Sequence, residues 1–212
     1  MVFEYKWGIV ALYKYNSIYI YILFYLYTKV PKSNLKTAVV LGSGGHTMEM
    51  IKMLNGVDTS HFRPREYIVA ETDKMSLQKL HQFESSLDSA TYNVHRIYRS
   101  RHVGQSYLTS IFTTLLAILY SIPMMLKIKP DVLLVNGPGT CVPCCLIIFL
   151  FSRLFRLLPR CKIVFIESIC RVTTLSLTGK IFYHLRICDS FLVQWPELKA
   201  KYPRVTYIGR LV

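Results

Sequence analysis

The chain has 212 residues, enough to bury one full core and little more. It carries 26 Lys and Arg against 12 Asp and Glu, a net charge of +14, yet 52% of it is hydrophobic. That excludes the usual nucleic-acid binder, whose charge dilutes its apolar content, and suits instead an anionic membrane surface or a phosphorylated lipid.

The first apolar stretch runs from Trp7 to Tyr27. It has about the 20 residues a bilayer core needs, with Lys14 close enough to its start to snorkel. Its tyrosines suit the interfacial belt, and no small-residue cleavage site follows it. Lys29, Lys32 and Lys36 come next, whereas Lys6 precedes it beside Glu4, so the positive-inside bias puts the bulk of the chain in the cytosol. Residues 1–36 are expected to be a membrane anchor with a basic flank, and 37–212 one further domain.

After the anchor, apolar runs alternate with helical patterns. Strands are expected at 37–41, 66–70, 92–98, 131–136, 162–167, 190–195 and 205–209, and helices at 46–54, 73–87, 103–128, 142–157, 176–186 and 196–201. Most strands are continuously apolar, the mark of a sheet covered on both faces, so the fold class is α/β with a doubly wound parallel Rossmann-type sheet. The basic run RIYRSRH (96–102) reads as a solvated face or a contact with lipid headgroups. Between Val103 and Leu126 there is no charge at all. Small and polar residues at 106, 109, 110, 113, 114, 117 and 121 form one helical stripe, with Tyr107, Leu108, Ile111, Phe112, Leu115, Leu119 and Ile122 opposite. Two readings fit equally: a helix buried on both sides, or one whose small stripe packs on protein while its bulky face meets lipid. The cysteines at 141, 144, 145, 161, 170 and 188 lie mostly in apolar runs. With no second CxxC or His pair at ligand spacing, they read as buried free thiols, not metal ligands.

In open parallel sheets ligands bind where loops leave the C-terminal strand ends, and three such loops are rich in chemistry. After the first strand comes GSGGH (42–46). Its glycines let backbone N–H groups approach an oxygen, and the helix that follows adds its positive end, so a phosphate or diphosphate is the natural guest. The dinucleotide fingerprint fails at Thr47, which stands where glycine is required. A tight turn with no ligand remains the bland alternative, and His46 suits a general base, an oxyanion partner or a helix-opening hydrogen-bonder. After the fourth strand, NGPGT (136–140) offers a rigid turn with a side-chain amide, or simple punctuation before the next helix. After the fifth, Glu167 closes an apolar strand, where a carboxylate needs a partner or a task. Arg171, four residues on, fits a structural pair or a substrate grip equally.

The motifs LGSGGHT (41–47), NGPGTC (136–141), ESICRV (167–172), LSLTGK (175–180), VQWPELK (193–199), KYPR (201–204) and YIGRL (207–211) stand in this order. Together they resemble one family, the membrane-anchoring subunit of the eukaryotic UDP-N-acetylglucosamine transferase that adds the second GlcNAc to dolichol-diphosphate-GlcNAc. The resemblance covers roughly 37–212. It implies the N-terminal, acceptor-side half of a GT-B glycosyltransferase at the cytosolic face of the endoplasmic reticulum, inactive alone, with the donor-binding half on a separate soluble chain. By similarity to the bacterial peptidoglycan GlcNAc transferase, Gly42, Ser43, Gly44, Gly45 and Thr47 would hold the acceptor diphosphate, with Asn136, Gly137, Gly139, Thr140 and Arg171 beside them. The implied reaction is inverting, with His46 or Glu167 as base, and calls for no metal and no cofactor. Gly209, Arg210, Leu211 and Val212 would face the partner chain, since a continuous GT-B chain would pass there to its second half. Two competitors are a non-catalytic scaffold that only recruits the partner, and a membrane-bound nucleotide-dependent oxidoreductase.

Overall fold

Short runs of aliphatic and β-branched residues pair into one all-parallel sheet of seven strands. The computed structural model describes residues 34–57, 59–87, 92–100, 104–137 and 139–210. The expected anchor between Trp7 and Tyr27 lies outside them. The strands are β1 (Thr37–Leu41), β2 (Arg65–Ala70), β3 (Tyr92–Ile97), β4 (Val132–Asn136), β5 (Lys162–Ile166), β6 (Ser190–Val193) and β7 (Thr206–Tyr207). The helices are α1 (Gly45–Asn55), α2 (Lys74–Ser85), α3 (Tyr107–Ile128), α4 (Cys141–Ile148), α5 (Leu177–His184) and α6 (Pro196–Lys201).

The sheet order is β3-β2-β1-β4-β5-β6-β7. The chain walks outward from β1 to β3, returns through α3 to lay β4 against β1, and then walks the other way. Winding reverses between β1 and β4, the switch point at which open parallel sheets generally bind their ligands. One apolar layer joins α1 and α2 (Met50, Leu54, Leu80, Phe83) to Val39, Leu41, Tyr67 and Leu134. The other joins Met125, Ile128, Cys144, Ile147 and Phe182 to Ala38, Val40, Leu133, Val135 and Phe165. Each fully buried aliphatic or aromatic side chain there contributes about 1.5–3 kcal/mol. Every residue of β1, β2, β4, β5 and β6 is buried, as continuously apolar strands require. At the sheet's outer part Arg65, wholly buried, forms a fork onto Glu84 with two 2.7 Å bonds, and the Tyr67 hydroxyl donates to the same carboxylate. Burial first, then that carboxylate, push the Tyr67 hydroxyl's pKa up.

Element ends differ from the sequence pattern for local reasons. α3 begins at Tyr107 rather than 103 because Ser106 caps it, its hydroxyl accepting from the Thr109 N–H. α4 keeps α-geometry only to Ile148 and then widens into a π-turn over Phe149–Leu154, with Phe155 N–H donating to the Leu150 carbonyl. β6 stops at Val193, before the expected 195, because Gln194 and Trp195 turn their side chains onto the Glu167 and Ile169 carbonyls. β7 is two residues long.

α3 resolves the two readings of its pattern. Ser110, Ala117 and Ser121 face the protein, with Met125 and Ile128 continuing the buried side. Leu108, Ile111, Phe112, Leu115, Leu116, Leu119 and Tyr120 are exposed, Leu108 to 76% and Phe112 to 71%. By length and composition Leu108–Ile128 could cross a membrane. Its inner face, however, seals the sheet, so it lies along the domain with a bulky apolar face outward.

Candidate functional site

β1, β4 and β5 are adjacent, so their three outgoing loops meet at one edge of the sheet. The first opens α1 with Gly44 as N-cap, at φ 65° and without a side-chain capping bond. First-turn N–H groups have no partner inside a helix, and Ser43, Gly44 and Gly45 are all exposed here. This is the free, positive end the sequence pattern implied. Gly42 is buried beneath it, its carbonyl accepting from the Thr47 hydroxyl. Thr47 is itself wholly buried and within 2.7 Å of Ser76 Oγ, which sits 2.7 Å from Asp73 Oδ2. The Thr47 side chain thus braces the loop from behind.

His46 is half-buried, and its Nδ1 lies 2.7 Å from Asn136 Oδ1. Asn136 is 2% exposed, and its Nδ2 donates to Glu49 Oε2 at 2.7 Å. Both ends of the amide are therefore engaged, and Asn136 holds protein groups where a substrate contact was expected. Glu49, also buried, accepts a second bond at Oε1 from the Ser168 hydroxyl, 2.8 Å away. One chain of bonds, His46–Asn136–Glu49–Ser168, ties the three loops together. Gly137, at φ 70°, closes this side: a Cβ there would stand 2.5 Å from His46 Cε1 and 2.7 Å from Nδ1. Only glycine both adopts that backbone easily and admits the ring. Gly139 is half-buried and Thr140 nearly buried, at the turn into α4, and Thr140 makes no side-chain capping bond.

Glu167 is a different object. It is completely buried, and Oε2 accepts from the Ser176 N–H at 3.0 Å and the Ser176 hydroxyl at 3.1 Å, while Oε1 accepts from the Ser168 N–H at 3.2 Å. Ser176 in turn caps α5 by accepting from the Gly179 N–H. A Cβ at Gly179 would sit 2.2 Å from Glu167 Oε2. Burial raises this carboxyl's pKa above the usual range, against the pull of the serine bonds and of the Arg171 charge. A base must reach its substrate's proton, and Glu167 does not reach the cleft. In this structure it is a strut under α5. Arg171 is exposed after the turn in which its N–H bonds the Ser168 carbonyl, and no ion pair joins it to Glu167 among the described residues. Its guanidinium faces solvent, open to an anion.

At the far end of the chain, Gly209 is buried at φ 79° and Arg210 is exposed, its guanidinium 4.3 Å from the centre of the Trp195 ring. Trp195 donates to the Ile169 carbonyl at 2.6 Å, so this end is mechanically linked to the Glu167 loop. Leu211 and Val212 lie outside the described residues. Cys141, Cys144, Cys145 and Cys161 are buried free thiols, and burial raises the pKa of Cys144, Cys145 and Cys161. Among the described residues no three His, Cys, Asp or Glu side chains converge as a metal site.

Glu49 and Ser168 carry the network without having stood out as candidates. A signal existed: Glu49 is an acid within the apolar stretch of α1, one helical turn from His46. Its partners, 87 and 119 residues away, leave no local trace.

Residues 37–211 match the family described as oligosaccharide biosynthesis protein Alg14 like. A mouse protein named UDP-N-acetylglucosamine transferase subunit ALG14 is 47% identical over 190 residues, 86% of this chain and 85% of the mouse one. The human protein of that name is 46% identical over 191 residues with the same coverage, and that of Schizosaccharomyces pombe 43% over 174, covering 81% and 80%. Among solved structures, MurG of Acinetobacter baumannii superimposes with TM-score 0.50 at 14% identity, over 77% of this chain and 42% of that one. A UDP-N-acetylglucosamine 2-epimerase of Rickettsia bellii also gives 0.50 at 14%, over 84% and 45%. Those two likenesses concern the fold, and the chain spans less than half the length of either enzyme.

Proposed function

Because the chain belongs to the Alg14-like family of oligosaccharide biosynthesis proteins, we propose that it is the acceptor-side subunit of a UDP-N-acetylglucosamine transferase acting on a lipid-linked diphosphate sugar. The acceptor is dolichol-diphosphate-GlcNAc, and the donor is bound by a separate soluble chain. The observation that carries this reading is the juxtaposition at the β1–β4 crevice of an uncapped helix start with a histidine held at one nitrogen by a buried amide.

The diphosphate lies against the exposed amides of Ser43, Gly44 and Gly45, with Arg171 steadying it. The acceptor hydroxyl oxygen attacks the anomeric carbon of the donor. As the new C–O bond forms, the hydroxyl proton passes to His46 Nε2, and the bond to UDP breaks with its electron pair leaving on the diphosphate. Contacts that stabilise the departing UDP come from the partner chain. The N-terminal segment anchors the subunit in the endoplasmic reticulum membrane with its domain on the cytosolic side. The outward face of α3 rests in the lipid interface, where burying each large apolar side chain is favourable by roughly 1.5–3 kcal/mol. The end of the chain, from buried Gly209 through exposed Arg210 to Leu211 and Val212, meets the partner.

Reconstitution in vesicles tests the reading. The chain alone is expected to bind a lipid diphosphate-GlcNAc acceptor yet transfer nothing, and to turn over only when the soluble chain is added. A chain that recruits the partner but binds no acceptor would instead be a scaffold.

A further inference from the structure

We infer that Glu49 is a positioning residue for this reaction: through the Asn136 amide it fixes the tautomer of His46 that leaves Nε2 free to take the acceptor proton. The inference rests on the reading of His46 as base and adds what keeps that base in working form.

The reasoning follows donors and acceptors. A carboxylate only accepts, and Glu49 accepts from Ser168 Oγ at Oε1 and from Asn136 at Oε2. Asn136 must therefore turn its NH2 toward Glu49, which leaves its oxygen facing His46 at 2.7 Å. An amide oxygen cannot donate, so in the neutral ring His46 carries its hydrogen on Nδ1 and has its lone pair on Nε2. Gly137 leaves the ring its place beside Asn136, since a Cβ there would stand 2.5 Å from Cε1 and 2.7 Å from Nδ1. Glu49 is 6% exposed, and a carboxylate so buried needs its two donors. A glutamine at 49 would keep the size and both contacts yet could donate as well as accept. The Asn136 amide could then turn over, offer NH2 to Nδ1, and stabilise the tautomer whose Nε2 already carries a proton.

The test is Glu49→Gln in the two-chain enzyme. Turnover is expected to fall about 100-fold, the usual worth of a correctly protonated base, with KM for acceptor little changed and the partner still recruited. Long-range 15N–1H spectra of His46 should show protonated Nδ1 in the parent and a gain of protonated Nε2 in the variant. The double variant Glu49→Gln with Asn136→Asp exchanges amide and carboxylate. It returns an acceptor-only group to Nδ1 and should recover most of the lost turnover, and it also serves if the single variant folds poorly. Unchanged turnover or an unchanged His46 tautomer in Glu49→Gln, or no recovery in the double variant, overturns the inference. His46→Gln run alongside separates the failures. If it stays active, the base reading falls and this inference with it; if it is inactive while Glu49→Gln is active, only the role of Glu49 is refuted.

Discussion

Two buried glutamates, both bonded to Ser168, support two regions of the molecule, and they do so differently. Glu49, on α1, faces the crevice side and answers to side chains, Asn136 and Ser168. Glu167, at the end of β5, answers mainly to the start of α5, taking the Ser176 N–H and hydroxyl and the Ser168 N–H. The first arrangement leads to a half-exposed histidine, whereas the second leads back into the core. A buried carboxylate is thus no sign of chemistry by itself. What distinguishes the two is whether the donors it holds connect onward to a group that can reach a substrate.

Paired glycine variants should split this contrast most sharply. Gly137→Ala drives a methyl into the His46 ring, so turnover is expected to fall about 100-fold, and the left-handed backbone adds about 1–2 kcal/mol of instability. Gly179→Ala drives a methyl into Glu167 instead and should cost about 1–3 kcal/mol by thermal melting, while folded molecules turn over at the parent rate. Equal effects of both variants on turnover would erase the distinction.

A subtler separation comes from pH. Burial lifts the Glu167 carboxyl, so above about pH 4.3 the unfolded chain releases this proton more readily than the folded one. Folding therefore loses free energy as pH rises toward the folded-state pKa, and the loss is complete above it. Relative to Glu167→Gln, the parent should lose denaturant resistance across that window. A difference that stays constant with pH would mean the carboxyl is not held protonated by its burial.

The smallest expected effects lie on the far side of the sheet. Phe112→Glu and Leu119→Glu change exposed positions and should leave stability within about 0.5 kcal/mol. Both should slow transfer to a vesicle-borne acceptor more than transfer to a short-chain acceptor in detergent. Equal rates on the two acceptors would remove α3 from the membrane interface.

The strands were legible because sheets covered on both faces demand uninterrupted apolar runs, and β1, β4 and β5 supply them. The two faces of α3 were legible because a helix repeats its neighbours every three or four residues. Whether Arg171 pairs with Glu167 or grips a substrate was left open by the sequence, because four-residue spacing sets side-chain proximity only on a helix. Here the chain makes a turn, with Arg171 N–H on the Ser168 carbonyl, and the guanidinium swings outward. The inward bonds of Asn136 and Thr47 were not legible, since a glycine-rich loop shows its exposed amides in sequence and hides its supports. Glu49 stayed hidden for the converse reason: its meaning resides in partners supplied by the end of β4 and the loop after β5.

The most direct test of the central claim is the turnover number of the two-chain enzyme carrying His46→Gln, at saturating donor and acceptor and with partner binding verified. A chain that supplies the acceptor-side base predicts a loss of about 100-fold or more with the complex intact. Parental turnover in an intact complex would contradict it and leave this subunit as an anchor alone.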